Sequence, residues 1–131
     1  MTTSRGSVPS MTLEIAARAS ETDWAQIAVL YGRLAALDPS PVVELNRAVA
    51  VAMADGPAAG LVLLEPLAAD ERLADYPYLP AARADLLRRL GRIAEAAAAY
   101  RRAIALTSNE VERAFLGRRL AEIERDTSRP N

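Results

Sequence analysis

From residue 24 onward, apolar side chains recur at spacings of three and four, interrupted at short intervals by Pro, Gly, Asp, Ser or Asn. That period is the stripe of an amphipathic helix; the strict alternation of a half-buried strand is nowhere sustained. Trp24–Leu37 carries Ile27, Leu30, Tyr31 and Leu34 on one stripe, with Thr22 or Asp23 placed to cap it and Asp38-Pro39 to end it. Ser40 caps the next helix, whose first position is Pro41, where a missing N–H costs nothing. Asp55-Gly56-Pro57 is a stop and a restart, and residues 57–68 put Leu61, Leu64 and Leu67 on one face, with Pro66 distorting the last turn. Residues 69–76 read as irregular, with a short turn capped by Asp70. A hairpin follows: residues 78–90, a stop at Gly91, and residues 92–106 with the stripe Ile93, Ala96, Ala97, Tyr100, Ala103 and Ile104. Ser108 or Asn109 caps a last helix carrying Val111, Phe115, Leu116, Leu120 and Ile123. With a short helix over residues 12–19, which holds Leu13 and Ile15, the pattern predicts about seven helices.

Short helices joined by tight turns invite a test for internal periodicity. Displaced by 36 residues, the chain places Ala48 on Ala84, Gly60 on Ala96, Leu64 on Tyr100 and Leu67 on Ala103. Small residues at the first two pairs let helices approach closely, and the larger ones behind fill the groove. Residues 77–110, with Ala84, Gly91, Ala96, Tyr100 and Ala103 at the signature places, resemble the tetratricopeptide repeat, a helix pair of about 34 residues. Ser108 stands where that repeat closes with proline. Trp24–Leu37 followed by Pro39 resembles the second half of an earlier unit, with Tyr31 in the role of Tyr100. The resemblance implies an all-α, right-handed stack of antiparallel helices over residues 11–125. Its packing positions are Ala48, Gly60, Leu64, Ala84, Gly91, Ala96, Tyr100 and Ala103, and its final helix is a solvating cap with Arg118, Arg119, Glu122 and Glu124 outward. Residues 1–10 read as a disordered lead or expression scar, and residues 126–131 as a flexible tail.

Composition narrows the chemistry. The chain of 131 residues has no Cys and no His, which removes disulfides, thiolate nucleophiles, the usual neutral-pH general base and the commonest metal ligands. Apolar residues make up 51% of the chain and aromatics 5%; abundant Ala favours helix and supplies poor material for sheets. No apolar run reaches the length of a membrane span, and the first residues lack a signal-peptide core, so a cytoplasmic protein is expected. The glycines of GRLAALDPS, DGPAAG and LGRIAEA follow no strand and make no phosphate loop. Asp70, Glu71 and Asp75 form an acidic cluster that reads as capping and solvation, not as a cation site. No enzyme, cofactor or metal is expected. Net charge is −1, yet residues 1–82 hold five Arg and ten acids (−5) whereas residues 83–125 hold ten Arg and six acids (+4). Such polarity can orient docking onto a charged partner. Arg88, Arg89, Arg92, Arg101 and Arg102 lack the interleaved aromatics that stack on bases, so direct nucleic-acid binding is not expected.

Two strings are more specific than the repeat. SPVVELNRAVAVAMADGPAAGL and ARADLLRRLGRIAEAAAAYRRAIALTSNEVERAFLGRRLAEIE, with TDWAQIAVLYGRLAALDPSPVV before them, resemble the C-terminal tetratricopeptide-like extension of bacterial extracytoplasmic-function (ECF) RNA polymerase sigma factors. The match covers about residues 20–125. In that family promoter reading belongs to upstream sigma regions, which this chain does not contain. The family carries histidines at the positions of Pro77 and Pro80 in YPYLPAARADLL, and whatever those histidines do is lost here.

The resemblance implies a non-catalytic interaction domain that modulates transcription initiation. Its partner would be a protein: the sigma regions, RNA polymerase or a regulator. The first helix of each pair lines the concave face of such stacks. Carried over, Val42, Leu45, Asn46, Val49 and Met53 face Tyr78, Ala81, Asp85, Arg88 and Arg89 across a partner-binding groove. Asn46 is the leading candidate, since a mid-helix Asn has poor propensity and its amide can hold peptide backbone. The rival readings are a homodimerising structural module and a small-molecule sensor with a pocket between helices.

Overall fold

The computed structural model describes residues 23–128, of which 85% are helical and none lies in a strand. Six α-helices follow one another: α1 (Trp24–Leu37), α2 (Pro41–Asp55), α3 (Pro57–Leu64), α4 (Tyr78–Arg89), α5 (Ile93–Leu106) and α6 (Glu110–Ser128). Two 3-10 turns, Glu65–Ala69 and Glu71–Leu73, join α3 to α4. The helix expected over residues 12–19, the lead over residues 1–10 and the end of the tail lie outside the described residues. Helix α6 runs on through Asp126 to Ser128, past the boundary expected at residue 125.

The turn chemistry sets the boundaries. Asp23 Oδ1 accepts from the Gln26 amide at 3.0 Å, and Ser40 Oγ accepts from Val42 at 3.2 Å ahead of Pro41. Gly56, at φ 104°, supports the reversal between α2 and α3. Pro66 cannot donate, and at that point the α-helical ladder of α3 gives way to 3-10 geometry. Asp70 caps the second 3-10 turn, accepting from the Arg72 amide at 2.9 Å and from the Arg72 guanidinium. Those Arg72 hydrogen bonds hold the Asp70 carboxyl below its ordinary range. The α4–α5 turn is a Schellman motif: Gly91 N–H donates to Arg88 O at 3.0 Å and Arg92 N–H to Leu87 O at 2.9 Å. Asn109 Oδ1 caps α6 through Glu112 N–H at 2.9 Å.

Each helix packs on its neighbours in sequence, so the chain is an all-α, repeat-like succession of hairpins. The positions paired at 36 residues lie in the core: Ala48, Leu64, Ala84, Ala96 and Ala103 have no exposed surface, and Tyr100 is buried. Gly60 also is buried, and a Cβ built on it would stand 2.4 Å from the Ala52 Cβ and 2.8 Å from Ala48 O. Helix α3 can therefore lie this close to α2 only with glycine there. Leu67 is displaced from its expected equivalence with Ala103 because it falls in the 3-10 turn and is only partly buried.

Two expectations need correction. Gly91 is not a packing residue: nothing lies within 4 Å of a Cβ placed on it, and its role is the φ of 78° that closes the Schellman turn. In α6, Leu116 and Ile123 are buried and Leu120 packs against them, but Val111 and Phe115 are 77% and 48% exposed. These two lie on a different face of the helix from the core stripe. Tyr31 is only half-buried, unlike Tyr100, and the outer side of α1 exposes Leu30, Leu34 and Leu37.

The glycines sort by mechanism, and thermal or urea unfolding reads the difference. Gly60→Ala, which forces α2 and α3 apart, is expected to cost about 1–3 kcal/mol despite Ala's better helix propensity. Gly91→Ala is expected to cost about 1 kcal/mol through backbone strain alone. Gly117→Ala, mid-helix with open space around it, is expected to stabilise by up to about 1 kcal/mol.

Candidate partner-binding groove

Helices α2, α4 and α6 alternate with the helices that pack behind them, and two grooves run between them. The first, about 480 Å³, is lined by Leu45, Asn46 and Val49 of α2 against Tyr76, Tyr78, Ala81 and Ala82. The second, about 190 Å³ and almost wholly apolar, lies between Pro77, Tyr78 and Ala81 on one side and Glu112, Phe115 and Leu116 on the other, with Thr107 at its end. Tyr78 and Ala81 belong to both, so the ridge of α4 divides one continuous surface into two troughs.

Of the residues expected in the groove, Asn46, Val49 and Tyr78 come together as its walls. Asn46 is exposed and its amide makes no hydrogen bond with any described residue. Met53 lies further along α2, where Arg89 Nη1 approaches its sulfur at 3.7 Å. That contact joins two residues 36 positions apart, one repeat. Asp85, Arg88 and Arg89 form a tight cluster: Arg88 Nη2 donates to Asp85 Oδ1 at 2.6 Å, and Arg89 Nε lies 3.0 Å from Asp85 Oδ2. Arg88 Nε also donates to the hydroxyl of buried Tyr100 at 3.3 Å. The Asp85 carboxylate, and after it the Tyr100 hydroxyl, raises the Arg88 pKa further. Arg88 is thus an internal tie between α4 and α5, and Arg89 is the member of the pair that reaches the groove's end.

Sequence reasoning did not place Tyr76, Glu112, Thr107 or Phe115 at this surface. Glu112 is the hinge of the second trough. Its Oε2 accepts from Tyr78 Oη at 2.8 Å and its Oε1 from Thr107 Oγ1 at 3.2 Å. Tyr76 meets Tyr78 edge-to-face at 5.3 Å between ring centroids. Arg119 lies over the Phe115 ring at 5.4 Å. The signal for Phe115 was present in the sequence: Val111, Phe115, Leu116, Leu120 and Ile123 together span too wide an arc for one core-facing stripe. Asp70, of the acidic cluster, serves as a cap paired with Arg72, and among the described residues no three acidic side chains converge as a metal site.

The chain is 50% identical over 101 residues to an uncharacterised protein of Rhizobium meliloti (strain 1021). The matched segment is 77% of this chain and 23% of that relative, so the chain spans about a quarter of the longer protein's length. No family model matches the sequence, and no solved structure matches the fold. Among the described residues no helix is long and apolar enough to cross a membrane.

The Tyr78–Glu112 bond has a pH signature. The Glu112 carboxylate raises the Tyr78 phenol above its ordinary range by stabilising the neutral form. Because the folded pKa is the higher one, the stabilisation is complete below the unfolded phenol's pKa. It is lost as the pH rises through the folded value. Subtracting the absorbance titration of Tyr78→Phe from that of the wild type should show this late phenol, and Glu112→Ala should move it down toward the normal range.

Proposed function

We propose that this chain is a non-catalytic protein-interaction domain whose α2–α4–α6 surface receives a segment of a partner protein. The observation that carries the reading is the pair of adjoining troughs, lined by the exposed apolar side chains Val49, Tyr78 and Phe115, with the Asn46 amide, which no described residue engages, in the first of them. Monomeric domains rarely leave contiguous apolar surface of this kind without a use for it. The alternation of groove-lining and supporting helices is what a tetratricopeptide-like stack provides.

The partner we propose follows from the resemblance of residues 20–125 to the extension of ECF sigma factors: the upstream sigma regions, RNA polymerase or a regulator of either. In that setting the domain modulates transcription initiation and performs no reaction. The match to a quarter of a longer relative is in keeping with a module joined to further polypeptide. A second reading, self-association, is favoured by one observation, the apolar row Leu30, Leu34 and Leu37 left open on α1.

Immobilised chain offered RNA polymerase and, separately, the isolated upstream regions of a related sigma factor tests the first reading. Capture is expected, with a loss of about tenfold or more in affinity for Asn46→Ala combined with Phe115→Ala, the scale of a hot-spot truncation. Arg88→Glu is not a clean probe, because it breaks the ties to Asp85 and Tyr100. If neither partner binds while sedimentation shows a dimer that Leu34→Glu dissociates, self-association replaces it.

A further inference from the structure

The α-helices are joined by one to three residues everywhere except between α3 and α4, where the connection takes residues 65–77. A one-residue joint suffices at Gly56, so hairpin geometry alone does not require this length. Extended connections inside small domains commonly build sites. This one is pinned in place: Leu73 is 3% exposed, Arg102 Nη2 donates to Ala74 O at 3.2 Å, and Arg83 grips Glu65 through bonds of 2.6 and 3.3 Å. Between it and helices α4 and α5 lies a cavity of about 450 Å³, within the range of about 300–1,000 Å³ usual for small-ligand sites.

The lining has a definite chemistry. Leu73, Leu79 and Ala99 form a buried apolar floor, and Leu106 and Ala98 continue it toward the rim. Three charged groups border it: Arg83 and Glu65 neutralise one another, whereas Arg102 has no carboxylate within ion-pair distance among the described residues and spends one N–H on a backbone carbonyl. The site therefore offers one uncompensated positive charge, with guanidinium donors to spare, beside a hydrocarbon surface. A second negative charge on a ligand would lie beside Glu65 with no free cation to meet it. Leu79, Pro80 and Arg83 lie on a different face of α4 from Tyr78, Ala81 and Ala82, so the cavity is separate from the partner-binding groove.

We infer that the cavity between the α3–α4 connection and α5 binds a small amphiphilic monocarboxylate, its carboxylate on Arg102 and its apolar body over Leu73, Leu79 and Leu106. The site is independent of the groove reading, since its ligand is read without any protein partner.

Calorimetry and amide NMR on the full chain, with decanoate as probe, test it. Decanol supplies the same body without charge, and acetate the charge without the body. Saturable decanoate binding is expected, with shifts at Leu73, Ala98 and Arg102. Decanol and acetate should each bind at least about tenfold more weakly, as expected for loss of a charge-assisted pair or of several buried methylenes. Arg102→Gln should weaken decanoate about tenfold or more, and Arg101→Gln, whose guanidinium pairs with Glu124, should not. If Arg102→Gln fails to fold, Ala98→Trp decides, because that exposed position fills the cavity from its rim. Absence of saturable binding, decanol binding as tight as decanoate, or affinity unchanged by filling the cavity overturns the proposal.

Discussion

The close approach of α3 to α2 at Gly60 governs the rest of the molecule. With the Ala48 and Ala52 backbone and methyl groups in the space a side chain would need, the two helices meet along a nearly bare seam. Ala84 and Ala96 occupy the equivalent places in the second hairpin, both fully buried. Small residues on the supporting faces draw each hairpin shut, and the larger apolar side chains of α2 and α4 are left on the opposite side. Val49, Met53 and Tyr78 are exposed for that reason. The groove is thus a consequence of how the hairpins close.

Much of this was legible in the sequence because its signals are local. Capping by Asp23, Ser40, Asp70 and Asn109 depends on groups two or three residues away, and the structure shows each bond. The 36-residue correspondence was legible because close packing restricts side-chain volume at fixed places, whatever the neighbours. What was hidden depends on long-range geometry. Phe115 and Leu116 are adjacent in sequence and one turns to the groove while the other enters the core, a choice set by where α5 lies. Arg88 reads as a surface cation until Tyr100, twelve residues on, is seen to offer its hydroxyl. Gly91 occupies a repeat signature position yet works through φ, a distinction spacing alone does not make.

The groove is held by ties that join its helices end to end. Glu112 binds α4 to α6 through Tyr78 and reaches the α5 terminus through Thr107, while Arg89 bridges from Asp85 to Met53 of α2. None of these bonds is individually worth much at an exposed site. Together they fix the register of three helices that share little direct packing, and a surface fixed in advance loses less entropy when it is covered.

The ties also change the meaning of the charge asymmetry. Residues 83–125 are basic by count, but Arg83, Arg88, Arg89, Arg92, Arg101 and Arg119 each face a carboxylate, and Arg113 is spent on the Ile104 and Thr107 carbonyls that end α5. Arg83 even takes its acid from the acidic half, at Glu65. Most of these pairs lie within one helix, and only Arg83–Glu65 and Arg101–Glu124 join different elements. Guanidinium groups engaged in this way contribute little net field beyond a Debye length, about 8–10 Å at ordinary salt. On the proposed reading, recognition on the α2–α4–α6 face is then a matter of shape, apolar area and the Asn46 amide. Arg102, on another face, has no ion pair among the described residues, and it stands at the mouth of the α3–α4 cavity.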